Sequence, residues 1–407
     1  MAEIKKIVPT EEQAKAIQYC LDYIDGKVSD NGKGYIFISG QAGVGKSEIQ
    51  KFVLNNFRKN QFKLAAYTAK AARVMEDKSG YPASTIHRLM YKPILDRDGN
   101  ILDWVFDRDI LRDDRNLKFV LIDECSMMSQ RQLDDLISSG KKIIVFGDYY
   151  QLPPINAPQI FTKQNADIVL TKIHRQAEGN PLIQYLTKLR KGEDIDNCNI
   201  DNKLIKSNDI NEVFGGDIKK FLDYDQIICG TNATRKALNA MIRKEIKGID
   251  SPFPVAGERL ICLKNNYNVD LANGDQFEIN CDAFNYRNDR GTFCVKRDIE
   301  PFKNKKREIV KERIMVCMSD NYDDIIRHRM PEYLARGKDR SNPDILIQGK
   351  HLIESDYSYV ISCHKAQGSE WKNVLVIDES DVFRDTKYRW LYTAVSRGKE
   401  SVTIISL

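Results

Sequence analysis

The sequence predicts an α/β protein with two lobes, each built on a doubly wound parallel sheet with flanking helices. Apolar segments of strand length alternate with amphipathic helical segments in both halves of the 407-residue chain, and several of these strands end in glycine or acidic residues. A chain of this length also exceeds what one hydrophobic core of typical size accommodates, so two or more domains are expected.

The first lobe begins with an amphipathic helix over residues 10–24, which opens with the capping sequence TEEQ. A glycine-rich turn then leads into the first strand, and strands and helices alternate from there as a doubly wound sheet requires. The predicted strands are 35–38, 63–68, 119–124 and 142–146, and the predicted helices between them are 48–57, 69–75 and 129–137.

Two inserts interrupt this alternation. The sequence DRDGN at residues 96–100 lies between two short apolar segments, which predicts a β-hairpin. Short alternating segments and turns after residue 257 predict a mainly β insert, with a helical stretch near 322–335. We therefore assign residues 1–88 and 112–170 to the first lobe, 89–111 to the hairpin insert, 171–256 and 346–407 to the second lobe, and 257–345 to the mainly β insert.

Composition excludes two classes of protein but does not identify a partner. No apolar run approaches the ~20 residues that span a bilayer, and residues 1–6 lack the apolar core of a signal peptide. The nine cysteines include no C-x-x-C pair, which is typical of reduced thiols in a cytosolic protein. A net charge of +5 permits a nucleic-acid partner without arguing for one.

Residues 40–47 (GQAGVGKS) follow the first strand and open a helix, which is the context in which G-x-x-x-x-G-K-[ST] forms a phosphate-binding loop. The glycines allow backbone N–H groups to converge on phosphate oxygens, and the helix N-terminus adds positive potential. Lys46 is expected to reach the outer phosphates and Ser47 a Mg²⁺ ion. The chain is therefore expected to bind a nucleoside triphosphate.

Acidic and amide side chains follow the third and fourth predicted strands of the first lobe. Asp123 and Glu124 end one strand, where the first can hold Mg²⁺ through water and the second can orient and deprotonate an attacking water. Gln151, in the sequence GDYYQLPP after the following strand, can sense a γ-phosphate. Cys125 is interpreted as a buried small hydrophobe rather than a nucleophile, since no histidine neighbours it in sequence.

These motifs, together with five others in the same order along both lobes, resemble those of superfamily 1 helicases, most closely the 5′→3′ branch of RecD-like and phage Dda-type enzymes. The other segments that carry the resemblance are TEEQ at 10–13, STIH at 84–87, HRQ at 174–176, SCHKAQGSEW at 362–371 and LYTAVSR at 391–397. The resemblance implies two RecA-like P-loop lobes with a hairpin pin in the first and an SH3-like insert in the second.

The resemblance also implies a role for each matched residue. Lys46, Glu124, Gln151, Arg175 and Arg397 would be catalytic, the two arginines as fingers on the γ-phosphate at a cleft between the lobes, with Ser47 and Asp123 as the metal ligands. Nucleotide contacts would come from Gln13 (on the adenine), Gly40, Gln41, Ala42, Gly43, Val44, Gly45, Lys46, Ser47, Gln367, Gly368 and Glu370. Nucleic-acid contacts would come from Thr68, Lys70, Thr85, His87, Phe106, Thr231, Asn232 and His364.

Two of these assignments keep an alternative. Trp104 or Phe106 lies where a Dda-type helicase carries its strand-separating pin, and we propose Phe106 as the wedge; alternatively, both aromatics only pack the hairpin. The basic run at residues 303–307, with Lys311 and Arg313, is interpreted as a solvated face or as a nucleic-acid contact.

The prediction is therefore a helicase that uses ATP and Mg²⁺, translocates 5′→3′ on single-stranded DNA and unwinds tailed or forked duplex. Two alternatives stay open: a 3′→5′ enzyme of the same superfamily, and a nucleic-acid-stimulated ATPase or ATP-switched binding protein that does not unwind. RNA as the tracked strand also stays open, because single-strand grips tolerate both sugars. The resemblance further implies the cytoplasm of a bacterial or phage-infected cell, and partners among single-strand-binding, replication, repair or recombination proteins.

Overall fold

The computed structural model describes residues 8–406, apart from 96–100, 155–156, 173–178, 252–253, 265–270, 272, 280–284, 288–292, 302–311, 319–345 and 348–349. Internal contacts divide the chain into two compact units. The first comprises Met1–Tyr91, Phe106–Leu204 and Phe383–Ser396, and the second comprises Lys92–Val105, Ile205–Val382 and Arg397–Leu407. This division extends the first unit past the predicted lobe boundary at residue 170 and groups the hairpin with the second unit.

A six-stranded sheet forms the centre of the first unit, in the order β3-β2-β6-β7-β1-β8. All of its neighbouring strands run parallel, as the sequence predicted. Helices cover both faces of such a sheet, so its central strands are apolar along their whole length. The strands are β1 (Ile36–Gly40), β2 (Phe62–Ala66), β3 (Ala83–Thr85), β6 (Phe119–Asp123), β7 (Lys142–Gly147) and β8 (Ile168–Leu170).

Side-chain caps fix the start of most helices in this unit. In α1, Thr10 and Gln13 form a reciprocal capping box, and Ser129 and Gln132 form the same arrangement in α6. The helices are α1 (Glu11–Ile24), α2 (Lys46–Leu54), α3 (Ala69–Ser79), α4 (Ile86–Met90), α5 (Asp109–Arg112), α6 (Gln130–Ser138), α7 (Pro181–Arg190) and, from near the end of the chain, α11 (Lys387–Val395).

The core of the first unit lies between α1, α2 and one face of the sheet. Ile36, Ile38 and Phe146 are fully buried there together with Ile49 and Val53 of α2. Burial of each such side chain stabilises the fold by about 1.5–3 kcal/mol. This packing holds the strands of the sheet, and with them their carboxyl ends, in place.

A second six-stranded sheet, in the order β19-β11-β20-β21-β10-β9, organises the second unit. Strand β11 pairs in parallel with β19 and β20, and β20 pairs in parallel with β21. The strands of this sheet and the helices between them in sequence are β9 (Cys198–Ile200), β10 (Leu204–Ser207), α8 (Ile210–Phe214), β11 (Gln226–Cys229), α9 (Asn232–Met241), β19 (Val360–Ser362), α10 (Cys363–Ala366), β20 (Trp371–Asp378) and β21 (Gly398–Ser406).

The mainly β insert forms a small barrel. Strand β12 pairs with both β13 and β18, so the path β12-β13-β15-β16-β18 closes on itself. Its strands are β12 (Arg259–Cys262), β13 (Gln276–Ile279), β14 (Asn285–Arg287), β15 (Phe293–Pro301), β16 (Glu312–Met318), β17 (Leu346–Ile347) and β18 (Lys350–Tyr357). The last strand extends twelve residues past the predicted end of the insert at 345, because it supplies the closing pairing.

The hairpin insert consists of β4 (Tyr91–Leu95) and β5 (Ile101–Phe106), which pair as a two-stranded sheet. Its turn at 96–100, the predicted helical stretch near 322–335 and the basic run at 303–307 lie outside the described residues. No helix within the described part of the chain is long and apolar enough to cross a membrane.

Candidate functional site

The phosphate loop has the backbone geometry that its glycines allow. Gly43 and Gly45 have φ values of 82° and 83°, in the left-handed region that other residues enter only with strain. Gly45 is the N-cap of α2, and no side chain among the described residues caps this helix, so its first N–H groups face the loop. The Lys46 Nζ donates to the carbonyls of Gly40 and Gln41, at 2.7 and 3.2 Å, which holds the ammonium over the loop.

Gln13 supports this loop from α1. The side-chain Nε2 of Gln13 donates to the Val44 carbonyl at 2.9 Å, and its Oε1 accepts from the Thr10 backbone N–H at 2.9 Å. The side chain is almost fully buried. Its contact with adenine therefore stays a prediction, while the geometry gives it a second role: it ties the capping box of α1 to the phosphate loop.

The acidic pair lies at the carboxyl end of β6, beside the ends of β2 and β7. Asp123 Oδ1 accepts from the Glu124 backbone N–H at 2.9 Å. Glu124 has φ 52° and ψ 50°, a left-handed conformation that costs a residue with a side chain about 1 kcal/mol or more. Such strain persists where the surrounding structure imposes it. Here the left-handed conformation of Glu124 turns the chain abruptly after β6.

Close packing behind the acidic pair supports the interpretation of Cys125. Its thiol is fully buried, and burial, followed by the charges of Glu124 and Asp123, raises its pKa well above the usual value. A Cβ at Gly147 would lie 2.4 Å from its Sγ, so the end of β7 requires glycine. A neutral, enclosed thiol is a packing group rather than a nucleophile.

Gln151 lies on the loop after β7 and is 6% exposed. Its Oε1 is buried and has no hydrogen-bond partner among the described residues. Leaving a buried acceptor unpaired costs about 1–3 kcal/mol, so this atom is a candidate for contact with a ligand or water. The neighbouring Tyr149 N–H donates to Ser39 Oγ of β1 at 3.3 Å, which places the loop beside the strand that leads into the phosphate loop.

A buried network behind Gln151 was not foreseen from the sequence. Asp148 accepts a hydrogen bond from Tyr392 and forms an ion pair with Arg190, at 2.6 Å to its Nη1. Arg389 donates to the carbonyls of Tyr149 and Tyr150. In the sequence these residues carry no signal beyond the general rule that a buried aspartate needs a partner.

In the second unit the structure brings Arg397 next to the 367–370 segment. Arg397 is buried, and its Nη1 donates to the Ser369 carbonyl at 3.2 Å. Gly368 has φ 73°, and Glu370 forms an ion pair with Lys399 at 3.1 Å. Gln367 is buried in the same segment. Arg175, the other predicted finger, lies outside the described residues.

The three threonines predicted to contact nucleic acid are all helix N-caps. Thr68, Thr85 and Thr231 have extended backbones and accept from the N3 backbone N–H of α3, α4 and α9, respectively. The backbone N–H groups at a helix N-terminus are natural donors to phosphate. Lys70 lies in the first turn of α3 and Asn232 in the first turn of α9, where the latter accepts from the Arg235 Nε at 3.2 Å.

The α9 N-terminus already holds an anion, which the sequence did not predict. Glu379, directly after β20, accepts from the backbone N–H groups of Gly230 and Thr231 at 2.7 and 2.9 Å. Its other oxygen accepts from the hydroxyls of Thr231 and Thr234, at 3.1 and 2.6 Å. Burial works to raise the pKa of Glu379, but these hydrogen bonds outweigh it and hold the pKa below its usual value.

Aromatic stacking connects the base of the hairpin to helix α4. His87 stacks on Tyr91 with ring centroids 4.2 Å apart, and Phe106 meets Tyr91 edge-on at 5.7 Å. Phe106 is therefore half-buried at the base of the hairpin, and its role as a wedge stays a prediction. In the second unit, burial lowers the pKa of His364.

Two family models match the chain, the AAA domain over residues 10–208 and the UvrD-like helicase C-terminal domain over residues 357–405. The chain is 25% identical to the ATP-dependent RecD2 DNA helicase of Deinococcus radiodurans, over 91% of this chain and 46% of the relative. It is 27% identical to the ATP-dependent DNA helicase dda of Enterobacteria phage T4, over 64% of this chain and 63% of the relative. The chain thus spans less than two thirds of the length of these two relatives.

The ATP-dependent DNA helicase Pif1 of Campylobacter jejuni is 21% identical over 91% of this chain and 88% of its own. Among solved structures, Pif1 helicase from Bacteroides in complex with ADP-AlF3 and ssDNA superposes with a TM-score of 0.54, at 20% identity, over 98% of this chain and 92% of that chain. This likeness confirms the predicted fold of two P-loop lobes with parallel sheets.

Proposed function

We propose that this chain is an ATP-dependent DNA helicase of the RecD-like and Dda-type branch of superfamily 1. Its likeness to the ATP-dependent RecD2 DNA helicase, which extends over 91% of this chain, supports the proposal. The chain would translocate 5′→3′ on single-stranded DNA and unwind tailed or forked duplex. The observation that carries the proposal is the edge of the first sheet, where the phosphate loop, the strained Glu124 and the buried Gln151 Oε1 come from three strands that are neighbours in the sheet.

ATP hydrolysis at this edge needs charge stabilisation and an oriented water. The α2 N-terminus and Lys46 would bind the phosphates, and Glu124 would orient a water and accept its proton. The water oxygen then forms a bond to the γ-phosphorus as the bond to the bridging oxygen of ADP breaks. Gln151 would orient the water or a γ-phosphate oxygen, and Arg397 and Arg175 would stabilise the developing charge.

The residues around the loop fit a Mg²⁺ ion. A hydroxyl at the second position of α2 (Ser47) and a carboxylate at the end of β6 (Asp123) are hard oxygen donors of the kind that magnesium takes in phosphate sites. When bound with the nucleotide, the ion would neutralise phosphate charge. The α2 helix and the β6 strand hold these two side chains on the same sheet edge.

The threonine caps support a nucleic-acid partner. Each of Thr68, Thr85 and Thr231 begins a helix within two residues of the end of a strand. The N-termini of α3 and α4 could therefore donate to phosphates, and that of α9 could do so in competition with Glu379. We further propose a location in the cytoplasm of a bacterial or phage-infected cell, with replication, repair, recombination or single-strand-binding proteins as partners, because relatives come from a bacterium and a phage.

Strand separation on tailed duplexes tests this proposal. We expect ATP-dependent unwinding of a duplex with a single-stranded 5′ tail of DNA, and none of a blunt duplex. Unwinding only from a 3′ tail would replace the 5′→3′ assignment by the opposite polarity. Rapid multiple-turnover hydrolysis without strand separation on either tail would instead favour an ATP-switched binding protein, and preference for RNA tails would change the substrate.

A further inference from the structure

We propose that helix α11, through Tyr392, Thr393 and Arg389, positions the loop that carries Gln151, so that ATP turnover depends on these side chains although none of them is a phosphate ligand. The inference rests on the proposed ATP hydrolysis and deepens it. Arg190 of α7 completes the arrangement from the other side. All of these residues belong to the first compact unit.

The Thr393 hydroxyl fixes the residue next to Gln151. Its Oγ1 accepts from the buried Leu152 backbone N–H at 3.0 Å and donates to the Arg389 carbonyl at 2.7 Å. Thr393 is fully buried. Water therefore cannot replace this acceptor, and loss of the hydroxyl would leave the Leu152 N–H without it.

Asp148 fixes the other end of the loop. Its carboxylate accepts from the Tyr150 backbone N–H at 3.0 Å, from Arg190 at 2.6 Å and from the Tyr392 hydroxyl. Asp148 is 1% exposed, so these donors offset a desolvation that would otherwise be costly. Burial and the charge of Asp148 raise the pKa of Tyr392 well above its usual value, which keeps the hydroxyl proton in place as a donor.

The backbone and rings between these ends are also held. Arg389 donates to the Tyr150 carbonyl at 3.3 Å and to that of Tyr149. The Arg190 guanidinium lies 4.7 and 5.3 Å from the ring centroids of Tyr149 and Tyr150, within the range of cation–π attraction. Every residue from Asp148 to Leu152 other than Gln151 thus contacts α11 or Arg190 directly.

Among the described contacts, those that hold this loop do not use the side chain of Gln151. A group that orients a water or a phosphate oxygen must be held closely, because a misplacement of about 1 Å can cost ~10²-fold in rate. Helix α11 ends at Val395, two residues before Arg397, so the element that holds the Gln151 loop also precedes the predicted finger in the chain.

Substitution of Thr393 tests the inference with a matched control. We expect Thr393→Val, which keeps the shape and removes the acceptor, to lower kcat of DNA-stimulated ATP hydrolysis at least 10-fold with little change in KM. Thr393→Ser, which keeps the hydroxyl, should stay within about twofold of the unchanged protein. Thr403→Val is the control, because Thr403 is 3% exposed in β21 of the other unit and its loss costs stability without touching this loop.

Hydrogen exchange of residues 148–152 separates this inference from the proposed function. Thr393→Val should speed exchange of these amides while the strands of the sheet keep their protection, whether or not the protein hydrolyses ATP. Absence of hydrolysis in the unchanged protein would refute the proposed function alone. Unchanged exchange at 148–152, or an equal loss of kcat in Thr403→Val, would overturn the positioning role.

Discussion

The N-termini of α2 and α9 occupy equivalent places in the two units, yet they hold different groups. Each helix follows a strand inside a parallel sheet, β1 before α2 and β11 before α9. Five residues of glycine-rich loop precede α2, and no described side chain caps it. Only Gly230 and Thr231 precede α9, and the Glu379 carboxylate accepts from both of their N–H groups.

The difference shows how one strand–helix arrangement can hold different groups at the helix N-terminus. The N-terminus of any helix after a parallel strand attracts anions, through its unpaired N–H groups and the helix dipole. In the first unit the chain supplies Lys46 and carboxylates around that position, which suits a triphosphate. In the second unit the chain supplies its own anion, so a strand phosphate at α9 would compete with Glu379 or bind beside it.

The largest effect expected from the difference between α2 and α9 is a loss of ATP hydrolysis on substitution of Lys46, at the N-terminus of α2. Lys46→Ala should lower DNA-stimulated ATP hydrolysis by about 10²–10³-fold, because one positive group at a developing phosphate charge is worth that much. Steady-state phosphate release measures it. Lys51→Ala on the same helix, at an exposed position, should leave the rate unchanged. Retained hydrolysis in Lys46→Ala would show that ATP is not hydrolysed at the α2 N-terminus.

A smaller loss of ATP hydrolysis is expected at Gln151, and it should come without a loss of thermal stability. Gln151→Met keeps the volume and removes the unpaired Oε1, so hydrolysis should fall by about 10²-fold while thermal stability is unchanged or higher. The matched control in the second unit is Gln226→Met. Gln226 is 1% exposed, but its Nε2 donates to the carbonyls of Ile227, Ser358 and Tyr359, so its loss should cost about 1–3 kcal/mol. Melting temperatures that fall alike in both variants would contradict this reasoning.

The smallest effect is expected at Glu379. Glu379→Gln removes the charge at α9 and should tighten binding of single-stranded DNA a few-fold at low salt, measured by fluorescence anisotropy, because a competing anion is gone. Glu400→Gln, on an exposed pair with Lys372, is the control. Weaker DNA binding in Glu379→Gln would show instead that the carboxylate orders Thr231 for the strand.

The lowered pKa of Glu379 also predicts that the stability difference between the unchanged protein and Glu379→Gln depends on pH. Because the pKa of Glu379 is lower in the folded protein than its ordinary value of 4.5, the stabilisation is present above pH 4.5 and lost as the pH falls through the folded pKa. Glu379→Gln should therefore be less stable than the unchanged protein by about 1 kcal/mol at pH 7, and this difference should vanish at lower pH. Urea unfolding at both pH values measures it.

Local patterns were sufficient for much of the fold and of the nucleotide site. Three patterns each determine the structure of a segment only a few residues long. They are the TEEQ cap, the glycines of residues 40–47 and the apolar strand before Asp123. Turn residues likewise predicted the β-hairpin and the mainly β insert. Such signals depend on backbone preference and on hydrophobic periodicity, which are properties of neighbouring residues.

The sequence by itself thus determined the class of fold, the phosphate loop and the order of the acidic and amide groups that follow it. The tertiary structure alone decided that Tyr392 binds Asp148, 244 residues away, and that Glu379 fills the α9 N-terminus, 148 residues from Thr231. It also decided the closure of the barrel through β12 and β18. The physical reason is that each of these contacts satisfies a buried polar group or a strand edge, and many distant residues could do so until packing selects one.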